Sequence, residues 1–253
     1  AGHRSIAAMS ALDRAFVHNL AITTLRRLGT IDHLVEFCMK RPLPRRARQV
    51  RDILRVGSCQ LLFMQVAAHG AVATCVELTR QLGHSAHIKL VNAVLRRLAR
   101  DGTELISKLD EAKVNTPEWL WETWSAVYGE DVCRQIAGAH LVGAPLDIST
   151  TGDPKTWAAE LGGDVLLANT IRLTGRGQVS ELPGFQDGQW WVQDAAARLV
   201  ADLAGDVTSK SVIDLCAAPG GKTAQFLTRG ARVTAVDRSA EDFPLPRPSP
   251  PAP

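Results

Sequence analysis

The sequence lacks any run of eighteen apolar residues, which excludes a membrane-spanning helix, and it shows no basic-then-apolar leader, which argues against secretion. It also lacks a C-x-x-C pair, and its five cysteines are an odd number at wide spacings, so no disulfide framework is expected. His84 and His87 are three residues apart with no cysteine nearby, so we interpret them as exposed loop residues and expect no metal site. A reducing cytoplasm is the expected setting.

The net charge of +3 conceals an asymmetry between the two parts of the chain. Residues 1–100 carry 16 Lys and Arg against 5 Asp and Glu, whereas residues 101–253 carry 13 against 21. A basic module joined to an acidic one indicates that the first part binds a polyanion such as nucleic acid. The alternative is a set of arginine-rich helices that only face solvent.

Apolar residues recur at helical spacing through the first hundred residues. They predict helices over residues 12–28, 50–66, 72–82 and 88–99, and no segment alternates as a strand would. The segment "RPLPRRAR" at 41–48 combines two prolines with a basic cluster, which predicts an exposed loop and a helix start. The first module is therefore expected to be an all-helical bundle.

The pattern changes after the helical module. "NTPEWLWETW" predicts a helix with Thr116 as N-cap and Pro117 as its first residue. After about residue 144, "PLDIST", "DVLLANTIRLT" and "QWWVQ" predict short strands, and segments 156–162 and 194–205 predict helices. This part is expected to be mixed α+β.

From Ser211 the order is strand, turn, helix and strand. "SVIDLC" predicts a strand, "KTAQFLTRG" a helix closed by Gly230, and "ARVTAVD" a second strand that ends at Asp237. This order describes one βαβ unit, which implies a parallel sheet.

The turn "CAAPGGK" before this helix predicts a ligand site. A helix start offers unpaired N–H groups, and small residues let a ligand touch the backbone. Asp237, at the end of the second strand, is placed to accept hydrogen bonds from both hydroxyls of a ribose. A P-loop is excluded because Cys216 stands where its first glycine is required, and G-x-G-x-x-G is absent. S-adenosylmethionine remains as the ligand, with a purely structural turn as the alternative.

"DLCAAPGGKT" also resembles the cofactor motif of RNA cytosine-5 methyltransferases. Three helical segments resemble the NusB-like domain: "DRAFVHNLAITTLRRLGTID", "ILRVGSCQLLFM" and "LVNAVLRRLAR". Two more, "TPEWLWETWSAVYG" and "LPGFQDGQWWVQDAAARLV", resemble the segment that leads into the methyltransferase core. Over roughly residues 12–240, the chain resembles the RsmB/Sun-type family of bacterial 16S ribosomal RNA cytosine-5 methyltransferases.

The resemblance implies a multi-domain chain, a monomer that binds 16S ribosomal RNA and no membrane. We expect a NusB-like helical RNA-binding domain at 1–110, an α+β subdomain at 111–205, and the first βαβ unit of a Rossmann-like methyltransferase core at 206–242. The segment 243–253, with six prolines in eleven residues, is expected to be extended or disordered.

The family's reaction uses a cysteine thiolate, which adds to the 6-position of cytosine and activates the 5-position for the methyl group. In the family the nucleophile lies in a T-C motif and a helper cysteine in a P-C motif. This chain has no P-C dipeptide, and its one T-C is Thr74–Cys75 in the helical module, where Cys75 is expected to be a buried apolar residue. Cys216 is expected to contribute backbone to the pocket. We therefore expect no catalytic residue here, a core that stops early, and an inactive chain.

Two sets of binding residues are expected. The S-adenosylmethionine set is Cys216, Ala217, Ala218, Pro219, Gly220, Gly221, Lys222 and Asp237. The RNA set is Arg26, Arg27, Arg45, Arg46, Arg48, Arg96 and Arg97. Cofactor binding is expected to be weak or absent, because later strands of the family's sheet would normally close the adenine side. The alternative function is that of a non-enzymatic NusB-like regulatory factor that binds RNA.

Overall fold

The computed structural model describes residues 6, 8–44, 46–174 and 179–238, and the chain divides into two compact units, 1–143 and 144–253. The domain boundaries expected after residues 110 and 205 fall inside these units and stay predictions. Arg45 and the proline-rich segment 243–253 lie outside the described residues.

The first unit consists of helices, with no strand among its described residues. These helices are α1 (Ala11–Arg26), α2 (Leu28–Cys38), α3 (Arg48–Leu62), α4 (Ala68–Gln81), α5 (Ile88–Ile106), α6 (Glu111–Val114), α7 (Glu118–Tyr128) and α8 (Glu130–His140). The four helices expected in residues 1–100 are confirmed. In the described part of the chain, no helix is both long enough and apolar enough to cross a membrane.

The sequence-based prediction missed α2. It extended α1 to residue 28, whereas α1 ends at Arg26 and α2 begins at Leu28 after a single intervening residue. Ile31, Leu34 and Val35 of α2 are buried at helical spacing in the main core of the unit. The short connection carries no proline, so the break between the two helices has no local sequence signal.

Close packing of α3, α4 and α5 forms the core. A Cβ added to Gly57 on α3 would stand 2.8 Å from Leu95 Cδ1 on α5 and 2.9 Å from Cys75 Sγ on α4. Cys75 is therefore the buried apolar residue that the sequence predicts. Burial raises the pKa of its thiol to about 11.

The segment around α6 is fastened to α2. Asn115 donates from Nδ2 to Thr30 Oγ1 at 2.7 Å and accepts from the Thr30 amide at 3.0 Å. The expectation that Thr116 caps α7 is wrong: Pro117 occupies the N-cap position, and the Thr116 hydroxyl donates to the Ala112 carbonyl at 2.8 Å instead. The hydroxyl bonds back to the preceding helical turn, so it does not face the amides of α7.

The second unit contains a four-stranded antiparallel sheet with the strand order β2-β3-β1-β4. Its strands are β1 (Leu146–Thr150), β2 (Gly163–Leu167), β3 (Thr170–Leu173) and β4 (Trp190–Val192), and its helices are α9 (Pro154–Leu161) and α10 (Ala195–Asp202). Ile148, Ile171 and Trp190 are buried on one face of the sheet. The expected α+β character and both expected helices are confirmed.

The same unit contains the expected strand–helix–strand. β5 (Ser211–Asp214) pairs in parallel with β6 (Arg232–Ala235), and α11 (Gly221–Thr228) connects them. Gly230 follows α11 with φ +78°, the left-handed conformation that closes many helices. The βαβ prediction is confirmed at the level of strand pairing.

Candidate cofactor cleft and basic surface

The turn between β5 and α11 is held by backbone hydrogen bonds. The Ala217 amide donates to the Val236 carbonyl at 3.1 Å, and the Gly220 amide donates to the Ala217 carbonyl at 2.6 Å. Gly220 is the N-cap of α11 and has φ +105°, a conformation that glycine adopts without steric cost. The glycine therefore lets the chain turn sharply from strand into helix.

Two carboxylates tie the turn to its surroundings. The Ala218 amide donates to Asp237 Oδ2 at 2.9 Å, and the Thr223 hydroxyl donates to Asp214 Oδ2 at 2.7 Å. Asp237 is half-buried and lies two residues beyond β6, which ends at Ala235, whereas the sequence predicts a strand that reaches Asp237. The structure thus brings Asp237 to the turn and bonds it there to the protein's own backbone.

The start of α11 is a favourable place for negative charge. The first amides of a helix have no intrahelical acceptor, and at α11 these are the amides of Gly221, Lys222 and Thr223. The helix dipole places partial positive charge at this end, and the ammonium group of Lys222 adds to it. This end of the turn is therefore suited to a carboxylate or another anion.

A cleft of about 250 Å³ lies against the turn. Its lining is Val192, Gln193, Asp194, Ala197, Asp214, Cys216, Ala217, Ala218, Pro219, Gly221 and Lys222. Six of the eight predicted cofactor residues line it. Gly220 and Asp237 do not line it, because Gly220 is buried at the bend and Asp237 bonds to the turn from beyond β6.

The second wall of the cleft was not assigned any role from the sequence. It comes from the end of β4 and the start of α10, where the Asp194 carboxylate accepts from the amides of Ala196 and Ala197 at 2.9 and 3.1 Å. The string "VQD" at 192–194 marks a strand end followed by a helix cap, but this pattern says nothing about a ligand.

An ion pair between the buried Asp147 and the partly exposed Arg172 supports this wall. Asp147 has a side chain only 1% exposed and accepts from Arg172 Nε and Nη2 at 2.8 and 2.9 Å. It also accepts from the Ala195 amide at the start of α10, at 3.2 Å. The hydrogen bonds from the Arg172 guanidinium lower the pKa of the Asp147 carboxyl, and the Ala195 amide lowers it further.

A chain of side-chain hydrogen bonds joins the two walls. Trp191 Nε1 donates to Gln193 Oε1 at 3.1 Å, and Gln193 Nε2 donates to Gln225 Oε1 at 2.9 Å. Gln225 Nε2 then donates to Asp202 Oδ1 at 2.7 Å. Both glutamines are buried. The end of β4 is thereby connected to the helix that begins at the turn.

The five cysteines differ in exposure. Cys216 is exposed and lines the cleft, whereas Cys59, Cys75 and Cys133 are buried. In the residues that the structure describes, no group of three His, Cys, Asp or Glu side chains is arranged to hold a metal ion.

The predicted RNA-binding arginines do not form one patch. The α3 helix has 15 residues and is about 22 Å long. Arg48 begins it, and the guanidinium of Arg27 lies 5.1 Å from the ring of Phe63, one residue beyond its other end. Arg46 and Arg48 therefore lie at the opposite end of α3 from Arg27.

Two of these arginines already have internal roles. Arg27 forms a 2.7 Å ion pair with Glu111 and stacks on Phe63, so its guanidinium is engaged within the unit. Arg97 stacks on Phe37 at 5.1 Å. The predicted role of Arg27 in phosphate binding therefore competes with a structural role.

An exposed basic stripe on α5 was only partly predicted. Lys89, Arg96 and Arg100 are all exposed and stand at positions i, i+7 and i+11, which share one helix face. Of these, only Arg96 was assigned to RNA from the sequence. Helical spacing was applied to the apolar residues only; applied to the basic residues as well, it would have identified Lys89 and Arg100.

Comparison with known proteins finds a matching family model, similar sequences and a similar solved structure. Residues 3–100 match the model of the NusB family. The ribosomal RNA small subunit methyltransferase B of Xanthomonas campestris is 34% identical over 239 residues, which are 90% of this chain and 54% of that protein. The protein of the same name from Escherichia coli O157:H7 is 32% identical over 239 residues, 89% of this chain and 56% of that protein.

A "probable" protein of that name from Synechocystis is 31% identical over 251 residues. The chain spans about half the length of the curated relatives it matches. The crystal structure of PH0851 has a similar fold, with a TM-score of 0.65 at 18% identity, over 93% of this chain and 57% of that one.

Proposed function

The chain belongs to the ribosomal RNA small subunit methyltransferase B family and spans about half the length of its relatives. We propose that it carries two parts of an rRNA cytosine-5 methyltransferase: the turn that binds the methyl donor, S-adenosylmethionine, and the helices that bind RNA. Residues 206–242 would be the beginning of a Rossmann-like methyltransferase core, and the α+β subdomain at 111–205 would precede it. The single observation that carries the proposal is the cleft at the turn, whose lining combines Gly221 and Lys222 at the start of α11 with Asp194 and Asp214.

The composition of the cleft suits a zwitterionic nucleoside ligand. The amides of α11 and Lys222 attract a carboxylate, and the carboxylates of Asp194 and Asp214 attract an ammonium group. Asp237 bonds the Ala218 amide from beyond β6 and does not line the cleft, so the ribose contact expected from the sequence stays a prediction. When bound, S-adenosylmethionine supplies an electrophilic methyl group.

The residues present do not supply the nucleophile of this reaction. The thiol of Cys75 is buried with a pKa of about 11, so it forms little thiolate near neutral pH and no substrate base can reach it. Cys216 belongs to the turn. We therefore propose that this chain by itself binds ligands but does not transfer the methyl group.

We assign RNA binding to two exposed surfaces of the first unit. One is the stripe of Lys89, Arg96 and Arg100 on α5, and the other is the pair Arg46 and Arg48 at the start of α3. His84, just before α5, bonds Gln49 of α3 at 2.7 Å, which brings the beginnings of these two helices together. A purely regulatory NusB-like factor is less well supported, because the relatives match about 90% of the chain, including the α/β part.

The donor assignment is tested by titrating S-adenosylmethionine into the labelled protein and following backbone resonances. We expect millimolar binding, with shifts at residues 192–197 and 214–222, because no further strand covers the turn in the described structure. Lys222→Ala should weaken binding several-fold, and the matched variant Lys210→Ala, at an exposed position before β5, should not. Shifts confined to other residues would refute the site, and micromolar affinity would refute the expectation of weak binding.

The RNA assignment is tested by measuring the affinity for 16S ribosomal RNA at several salt concentrations. The triple change of Lys89, Arg96 and Arg100 to alanine should reduce the slope of log affinity against log salt by about 2–3, since each lost phosphate contact removes roughly 0.7–0.9. Lys108→Ala, also exposed and beyond the stripe, is the matched control. An unchanged slope in the triple variant would exclude this surface.

A further inference from the structure

Gln193 stands directly against the start of α11. A Cβ added to Gly221 would lie 3.5 Å from Gln193 Cγ and 3.7 Å from its Cδ. Gln193 is buried, yet it lines the cleft beside Gly221 and Lys222. A buried side-chain amide at this place touches both the protein interior and the ligand space.

The orientation of the Gln193 amide is set from both ends of its hydrogen-bond chain. The Trp191 indole can only donate, so it requires the oxygen of Gln193. At the far end the Asp202 carboxylate accepts from Gln225 Nε2, which turns the oxygen of Gln225 toward Gln193. Gln193 must therefore present its NH2 group toward Gln225, with its oxygen toward Trp191.

By the contacts of the described residues, this orientation leaves one N–H of the Gln193 side chain for a further acceptor. The NH2 group of a glutamine has two N–H bonds, and within the described structure Gln225 takes one of them. The second belongs to a residue that lines the cleft next to the first amides of α11 and the ammonium group of Lys222. All three kinds of group donate hydrogen bonds or carry positive charge, so together they recognise an anion.

We propose that Gln193 is a further ligand-binding residue of the cleft, whose side-chain NH2 donates to the carboxylate of the methyl donor's amino-acid part, and that Gln225 is the positioning residue that holds this NH2 in place. The inference rests on the proposed function and names the part of the ligand that this wall recognises. The proposed contact is a hydrogen bond, and no covalent bond changes when it forms.

The test compares S-adenosylmethionine with decarboxylated S-adenosylmethionine, which lacks only the carboxylate. Both are titrated by NMR into the wild-type chain, Gln193→Leu and Gln225→Leu. We expect the wild type to prefer the carboxylate-bearing ligand, and Gln193→Leu to reduce this preference about tenfold while binding the decarboxylated ligand as before. Gln225→Leu should reduce the preference in part, because Gln193 remains but is no longer oriented.

Two further variants keep the test decisive. Gln186→Leu makes the same change at an exposed position and should leave the preference unchanged. Gln193→Met keeps the length of the side chain without adding charge and removes the donor, so it should also lose the preference and serves where the leucine variant fails to fold. An unchanged preference in folded Gln193 variants would overturn the inference alone. If neither ligand shifts the NMR resonances of the turn residues in the wild type, the proposed function is refuted, and this inference is refuted with it.

Discussion

The backbone amide of Ala218 donates to the carboxylate of Asp237 at 2.9 Å, across 19 residues of the chain. This bond joins the middle of the turn to the residue that follows β6. The carboxylate that the sequence assigns to a ligand therefore also shapes the loop against which that ligand would rest. Changes at Asp237 are expected to affect the turn before they affect any ligand.

Replacement of Asp237 by alanine should loosen the turn. We expect hydrogen exchange at the Ala218 amide to become at least tenfold faster, because the amide loses its acceptor. Exchange at Arg232, whose amide bonds the Lys210 carbonyl, should stay the same. Exchange is measured by NMR without ligand, with Asp164→Ala on β2 as control. Unchanged exchange at Ala218 would show that the bond does not hold the turn.

Replacement of Gly29 by alanine should destabilise the first unit. The added Cβ would stand 1.7 Å from the Val114 carbonyl oxygen, and backbone cannot rotate away as a side chain can. We expect the free energy of unfolding to fall by about 1–3 kcal/mol or more. Gly70→Ala on α4 is the matched control, because nothing lies within 4 Å of its added Cβ, and it should be neutral or slightly stabilising. Equal thermal unfolding of both variants would contradict the close approach of α2 to Val114.

The Asp147–Arg172 pair should make the second unit sensitive to acid. The folded pKa of Asp147 is lowered, so its contribution is present above the unfolded pKa of about 3.9 and is lost as pH falls through the folded pKa. Asp147→Asn should lower the free energy of unfolding by about 1–3 kcal/mol at pH 6, and the difference from wild type should shrink toward pH 2. Urea unfolding of the two proteins, followed by tryptophan fluorescence at several pH values, measures the free-energy difference and its dependence on pH. A difference that is constant with pH would refute the ion-pair role.

Alkylation should separate the cysteines by position. Cys216 is exposed and should react with iodoacetamide in the folded chain. Cys75 is buried with a raised pKa, so it should react only after unfolding in urea. Mass spectrometry of tryptic peptides gives the rate at each site. Reaction of Cys75 at a rate like that of Cys216 in the folded chain would reopen its candidacy as a nucleophile.

The turn could be predicted because its signals are local. A short strand, a run of small residues, a glycine before the helix and Gly230 after it all lie within about twenty residues. The structure places each of them as expected, since none of them depends on a distant partner.

Features that depend on distant contacts were missed. In the sequence Arg27 has the pattern of a surface cation, whereas in the structure it pairs with Glu111. Gly29 has the pattern of a weak helix residue, whereas in the structure it lies against Val114. Gln193 likewise has no distinguishing sequence pattern, because its orientation is determined by Gln225, 32 residues later. These pairings arise from tertiary packing, so composition and periodicity carry no trace of them.

The β5–β6 pair is covered by α11 on one face, while its other face leaves Ile213 66% and Leu215 71% exposed. Parallel strands are normally sheltered on both sides. In the described part of the chain this second face is open to water, and an open apolar face promotes association. Partly folded copies of the chain at high concentration would therefore associate through this face.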